Sequence, residues 1–531
     1  MRRAWSVWTT AGTLVTAVLA SGCGAGDAAD GAAGAPRSGG TLTFAVGSDT
    51  GCVDPQQVAS NDTIYSVRHL VDSLTDQDPA TGKIVPWLAQ RWEIGDGART
   101  YTFHLRPGVT FSDGTPLDAK AVKATFDAVP KLGVLGLLAK GYLAGYEGTT
   151  VVDDLTARVR FKTPNAQFLQ ATATHSLGIL SQASVRKSPE QRCAKGVVGS
   201  GPFVLSKYVP AQSITLAKRK GYGWGSSLWK KQGEAYLDRL VFKVLPESGV
   251  RTGSLQSGQV DAIGSVGRAD EAALKASGAQ LPARANPGIV FGISLNNARF
   301  KDERVRRAIS LAVDRKQVAE TVFPAGTRPA TSILARTTPG YADLGASLAP
   351  DQAKARSLLD AAGWKAGGDG VRRKDGAELA LTVKWFANAA TNRPSLELVQ
   401  QQLKAVGIRL ELKEMQIAQL AQVQTSGDFD ALWGNLTRAD PDILRTTYST
   451  RLANAYRLPP TDLDGILDGQ AAASDEAERK RLVEQAQRRI VERAYIVPVV
   501  ELQTELGAAK NVHDLMFDAS SRIQLHDTWI G

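Results

Sequence analysis

What most constrains the fold is an apolar period that changes repeatedly along the chain. In TLTFAVG (41–47) Leu42, Phe44 and Val46 alternate with polar residues, and Tyr101, Phe103 and Leu105 do the same in RTYTFHLRPG (99–108). SITLAKR (213–219), LVFKVLP (240–246), LALTVKW (379–385) and IRLELKE (408–414) repeat the pattern. Alternation of this kind predicts strands with one buried face. VVDDLTARVRFK (151–162) is expected as one more strand. Between these segments the period lengthens. VRRAISLAVDRKQVAETVF (305–323) sets Val305, Ile309, Ala312 and Val313 on one stripe, as a single helix would. PSLELVQQQLKAVG (394–407) has Pro394 near its start and Gly407 at its end, the expected helix punctuation. Asp118 is placed to cap a helix over 118–129. EAERKRLVEQAQRRIVERA (476–494) is amphipathic and runs into a short apolar strand, YIVPVV (495–500). The alternation has no fixed repeat, which excludes a solenoid. It predicts an α/β protein with more than one core.

The first 40 residues follow a different logic. Met1-Arg2-Arg3 is basic, an apolar run extends from about Ala11 to Ala20, and Ser21-Gly22 precede Cys23. This is a signal-peptide pattern over 1–22, too short for a membrane span. The small residues before Cys23 resemble a bacterial lipobox, with Ala20 three positions before the cysteine. That resemblance implies a diacylglyceryl thioether on Cys23 and a lipid-anchored, extracytoplasmic chain. The stretch 23–40 is almost entirely Gly, Ala and Asp, which suits a flexible tether.

Composition narrows the function classes. Net charge is +10, but Lys and Arg are scattered and no nucleic-acid motif accompanies them, so no nucleic-acid partner is expected. With Cys23 occupied, Cys52 and Cys193 remain. They are either a disulfide in an oxidising compartment or two separate buried thiols. The five histidines lack ligand spacing, so neither a metal nor a cofactor is expected. An exported serine-type hydrolase is the rival class. GxSxG is absent, and the SxxK matches at Ser184 and Ser227 have no SDN or KTG companions. Asp153-Asp154 are adjacent turn residues rather than a catalytic pair. A tethered interaction protein without a ligand pocket is the other alternative.

Five segments carry a resemblance. They are PWLAQRWEIGDGARTYTFHLRPGVTFSDGTPLDAKAV (86–122), GVVGSGPFVLSKYVPAQSITLAKRKGYGW (196–224), NNARFKDERVRRAISLAVDR (296–315), DQAKARSLLDAAGW (351–364) and AYIVPVVEL (494–502). In this order they resemble the peptide/opine/nickel solute-binding proteins of ABC importers. The resemblance implies a periplasmic-binding-protein-like fold of the large type, with two lobes, a hinge and an extra subdomain. Lobe I would take 41–285 plus 505–531, with its subdomain near 80–195, and lobe II would take 286–504. It also implies a monomer that closes on a small-molecule or peptide ligand and delivers it to ABC permease subunits in the membrane.

The segment FDALWGNLTRADPDIL (429–444) is the expected ligand wall, with Trp433, Asn435, Thr437, Arg438 and Asp440 as candidate contacts. Peptide-binding relatives keep an aspartate three residues before an Asp-Pro pair to take the ligand's α-ammonium. Thr437 stands there instead, followed by Arg438, whose guanidinium suits a carboxylate or phosphate. A ligand carrying a carboxylate, or a neutral polyol, is expected ahead of free-amine peptides. Asp440 could instead cap the helix after Pro441. Trp385 and Asn388 form a second candidate edge, and Tyr222, Trp224 and Trp229 a third, weaker one.

Overall fold

The computed structural model describes residues 35–531 except 387, 388, 390, 417, 418 and 474. Residues 1–22, Cys23 and most of the tether therefore lie outside the described residues, as does Asn388. The body 36–531 is built around two six-stranded sheets. The first runs Gly507–Ala508, Ala262–Ile263, Thr41–Val46, Arg239–Val244, Ser213–Lys218, Phe203–Val209 from edge to edge. Thr41–Val46 pairs in parallel with Arg239–Val244, from Thr41 opposite Arg239 to Val46 opposite Val244. The alternating Leu42, Phe44 and Val46 are buried in one core with Leu240 and Phe242.

In the second sheet the order is Arg328–Pro329, Ile496–Glu501, Gly288–Leu295, Ala431–Thr437, Ala380–Phe386, Arg409–Met415. Every residue of Gly288–Leu295 is buried, as a central strand covered on both faces must be. Its own core includes Ile293, Leu295, Val383 and Val499. A third, four-stranded antiparallel sheet joins Ala89–Gly95, Thr100–Leu105, Thr156–Phe161 and Tyr146–Asp153. Its core is aromatic: the ring of Phe168 lies 4.8 Å from Phe161 and 5.0 Å from Tyr101 in edge-on contacts. The α/β, two-lobe organisation with a subdomain thus has a separate core for each part.

Two expected elements are divided. The strand expected over 151–162 is a hairpin, Tyr146–Asp153 and Thr156–Phe161, because Asp153 accepts the Leu155 N–H at 2.9 Å and turns the chain. The helix expected over 305–323 is two, Glu303–Ala312 and Arg315–Val322. Asp314 accepts the Gln317 N–H at 3.0 Å and starts a new helix. Arg315, nearly fully buried, donates to the carbonyls of Ser310 and Val313 at the break.

The chain passes between the two large sheets twice, and the two passages lie side by side. Ala283–Ala285 pairs antiparallel with Gln503–Glu505, from Ala283 opposite Glu505 to Ala285 opposite Gln503. Arg284 fastens this ribbon by donating to Pro79 O at 2.6 Å and Ser521 Oγ at 2.6 Å. Cys52 and Cys193 are joined by a disulfide across 141 residues. Beside the bridge, Arg192 and Asp54 form a buried ion pair at 3.1 Å.

Candidate functional site

The strand Ala431–Thr437 positions the site. It pairs on one side with Gly288–Leu295, Trp433 opposite Ile293, and briefly on the other with Ala380–Phe386. Where it leaves the core it borders a cavity of about 100 Å³ lined by Trp433, Gly434, Asn435, Phe386 and Phe291. Tyr448 and Tyr456 close another wall, their rings stacked at 5.8 Å, with Ser294 and Gln424 supplying polar edges. Whole-ligand pockets span roughly 300–1,000 Å³, so this cavity holds one group of a ligand rather than all of it. Trp433 is rigid here. Its indole meets Phe291 edge-on at 4.7 Å, and its N–H donates to Asn392 Oδ1 at 3.2 Å.

The expected residues distribute as follows. Trp433 and Asn435 line the cavity; Asn435 is half-buried and donates to Thr437 Oγ1 at 3.3 Å. Trp385 belongs to the second-lobe core, while its neighbour Phe386 reaches the cavity, as alternation along a strand requires. Asp440 caps the turn through Pro441 and Asp442 that leads into the helix Ile443–Tyr448. Its carboxylate accepts the Asp442 N–H at 2.8 Å and both guanidinium nitrogens of Arg479 at 2.6 and 3.1 Å. Asp442 is matched in turn by Arg445, at 2.8 and 3.0 Å. Tyr222, Trp224 and Trp229 are buried against Trp87, and Asp72 accepts from Tyr222 and Trp224 at 3.1 and 2.9 Å. Burial raises the Asp72 carboxyl above its ordinary range.

The loop after the strand also touches the first lobe. Arg438 donates to Gln167 Oε1 at 2.9 Å, and its guanidinium lies 4.6 Å over the Tyr142 ring. Gln77 Nε2 donates to Ala439 O at 3.3 Å, and Ala166 N to Ala471 O at 3.1 Å. Gln167, Tyr142 and Gln77 carry no local sequence signal for this role. They reach the loop through folding over hundreds of residues, which no pattern within a window encodes. Among the described residues no group of His, Cys, Asp and Glu is arranged to hold a metal ion.

A family model described as bacterial extracellular solute-binding proteins, family 5 Middle, matches residues 83–455. The chain belongs to this family. It is similar to the glutathione-binding protein GsiB of Salmonella paratyphi A, 26% identical over 502 residues, covering 89% of this chain and 91% of that protein. Among solved structures it resembles NikA from Brucella suis in complex with Fe(III)-EDTA, with a TM-score of 0.81 at 23% identity over 93% of this chain and all of that one. It also resembles the oligopeptide-binding protein AppA from Bacillus subtilis in complex with a nonapeptide, with a TM-score of 0.78 at 22% identity and the same coverage of both chains. This family 5 protein is therefore an extracytoplasmic solute-binding component of an ABC importer and not an enzyme. No helix among its described residues is long and apolar enough to cross a membrane.

Proposed function

We propose that this solute-binding protein captures a small, peptide-like or other organic solute between its lobes, as a monomer, and presents it to ABC permease subunits. The cavity at the end of Ala431–Thr437 carries this reading: rigid aromatic walls with a few polar edges, next to a loop that touches the opposite lobe. The ligand would place one apolar group beside Trp433 and hydrogen-bond to Asn435 and Thr437. Lobe I takes 41–285 and 505–531, with the subdomain near 80–195, and lobe II takes 286–504. The paired passages at Ala283–Ala285 and Gln503–Glu505 support a hinge there. We assign 1–22 as a signal peptide, Cys23 as the lipidated N-terminus and 23–40 as the tether to the membrane.

Relatives that bind glutathione and oligopeptides set the first ligands to try. Calorimetry of the full chain with glutathione and with di- to pentapeptides tests the reading. Binding that is micromolar or tighter, and is weakened at least tenfold by Asn435→Leu, supports it. Tight binding indifferent to Asn435→Leu would place the ligand elsewhere.

A further inference from the structure

The loop after Ala431–Thr437 is a series of matched charges with one cation left over. Asp440 is paired with Arg479, and Asp442 with Arg445. Arg438 is only 8% exposed, yet among the described residues no carboxylate pairs with it. Its hydrogen bonds both leave from Nη1, to Gln167 Oε1 at 2.9 Å and to Thr446 Oγ1 at 3.4 Å. Nε and Nη2 donate to no described group. The Tyr142 ring and the open side of Gly141, where an added Cβ would meet Nη2 at 3.3 Å, hold the guanidinium flat against the first lobe.

Gln167 supplies the second observation. A guanidinium only donates, so the Gln167 atom facing it must be the carbonyl oxygen. Gln167 Nε2 is then a donor in a fully buried side chain, and no acceptor meets it. A buried donor without a partner is costly, and a buried cation without a counter-charge more so. The cation and the side chain that carries the unpaired amide N–H are joined directly, Arg438 Nη1 to Gln167 Oε1.

We propose that Arg438 and Gln167 form a two-lobe carboxylate subsite, in which a ligand carboxylate accepts from Arg438 Nε and Nη2 and from Gln167 Nε2. This rests on the reading of the cleft as the solute site. The carboxylate is recognised by both lobes only when they meet, which ties acid recognition to closure. Arg438 lies five residues beyond Trp433, or about 17 Å at the strand rise per residue. The ligand class that fits carries an apolar group and a carboxylate about that far apart. Thr437, in the place where peptide-binding relatives keep an acid, adds no counter-charge. The site therefore selects for an anion and against an ammonium.

The test uses acetate, which probes the subsite without the rest of any ligand. Acetate replaces chloride at constant ionic strength, and the melting midpoint of the full chain is followed. The wild type is expected to gain about 1–2 °C at 100 mM acetate, and Arg438→Gln, verified as folded by circular dichroism, to gain nothing. Gln167→Glu places a carboxylate in cis against the guanidinium. It is expected to fold at least as stably and to lose the acetate response. A response equal in wild type and both variants, or none in the wild type, overturns the subsite. Either result leaves the cavity reading standing, because solute binding beside Trp433 is measured separately through Asn435→Leu.

Discussion

At the residue scale, the Asp440–Arg479 pair shows how this loop keeps its shape. Asp440 is buried and accepts two hydrogen bonds from a guanidinium whose pKa is raised above its ordinary value, burial opposing and the Asp440 charge favouring the cation. Truncating one partner strands the other charge. Arg479→Met is expected to cost about 2–4 kcal/mol in urea unfolding, and Asp440→Asn combined with it to recover part of that loss. A cost below about 0.5 kcal/mol, the range of ordinary surface substitutions, would show the pair to be dispensable. Residues near one another in sequence were the readable ones. Trp433 and Asn435 follow from alternation along one strand, and the absence of an acid at Thr437 is visible in the sequence itself. Gln167 is not readable, since 271 residues separate it from Arg438. Trp385 illustrates the opposite case: one step of register sends it into the core and Phe386 to the cavity.

At the element scale, the ribbon Ala283–Ala285/Gln503–Glu505 contains a titrating group. Burial first, and the neighbouring Glu271 carboxylate second, push Glu505 from 4.5 up to about 7, with Gln503 and Lys275 opposing. Glu271 itself accepts the Ala325 N–H from the second lobe at 2.6 Å and pairs with Lys275. A raised acid stabilises the fold fully below its unfolded value and loses that contribution as pH rises through the folded one. Glu505→Gln, permanently neutral, is expected to match wild-type stability below pH 4.5 and to exceed it above pH 7. Unfolding midpoints that differ by the same amount at both ends of that range would contradict this. The disulfide is a second element-scale constraint. Cys193→Ser under oxidising conditions is expected to cost about 2–5 kcal/mol in denaturant unfolding, as for long closed loops; identical midpoints with and without the bridge would contradict it. Periodicity alone missed the break at Asp314, because a single N-cap side chain outweighs an otherwise continuous helical stripe.

At the scale of the whole molecule, two six-stranded sheets have separate cores, and the two chain passages between them are paired as a ribbon. The alternation of strand and helix made the α/β class legible, and five segments in order made the family legible. The contacts that bring the lobes together were not, because they depend on tertiary placement rather than on any local pattern. The N-terminus supports a prediction of its own. Cys23→Ala is expected to move the protein from the membrane fraction to the soluble extracytoplasmic one, since two acyl chains suffice for stable anchoring. A variant as membrane-bound as the wild type would contradict lipidation at Cys23.

If a solute is held in the cavity at the end of Ala431–Thr437, blocking that cavity abolishes its binding. Gly434 lines the cavity, and a Cβ added there meets nothing within 4 Å, so Gly434→Phe begins without a clash at its Cβ. A thermal-shift screen of peptides and metabolites would run on wild type and Gly434→Phe in parallel. At least one solute is expected to raise the wild-type midpoint, through preferential binding to the folded state, and to fail to raise that of the variant. Solutes that stabilise both proteins equally would contradict it.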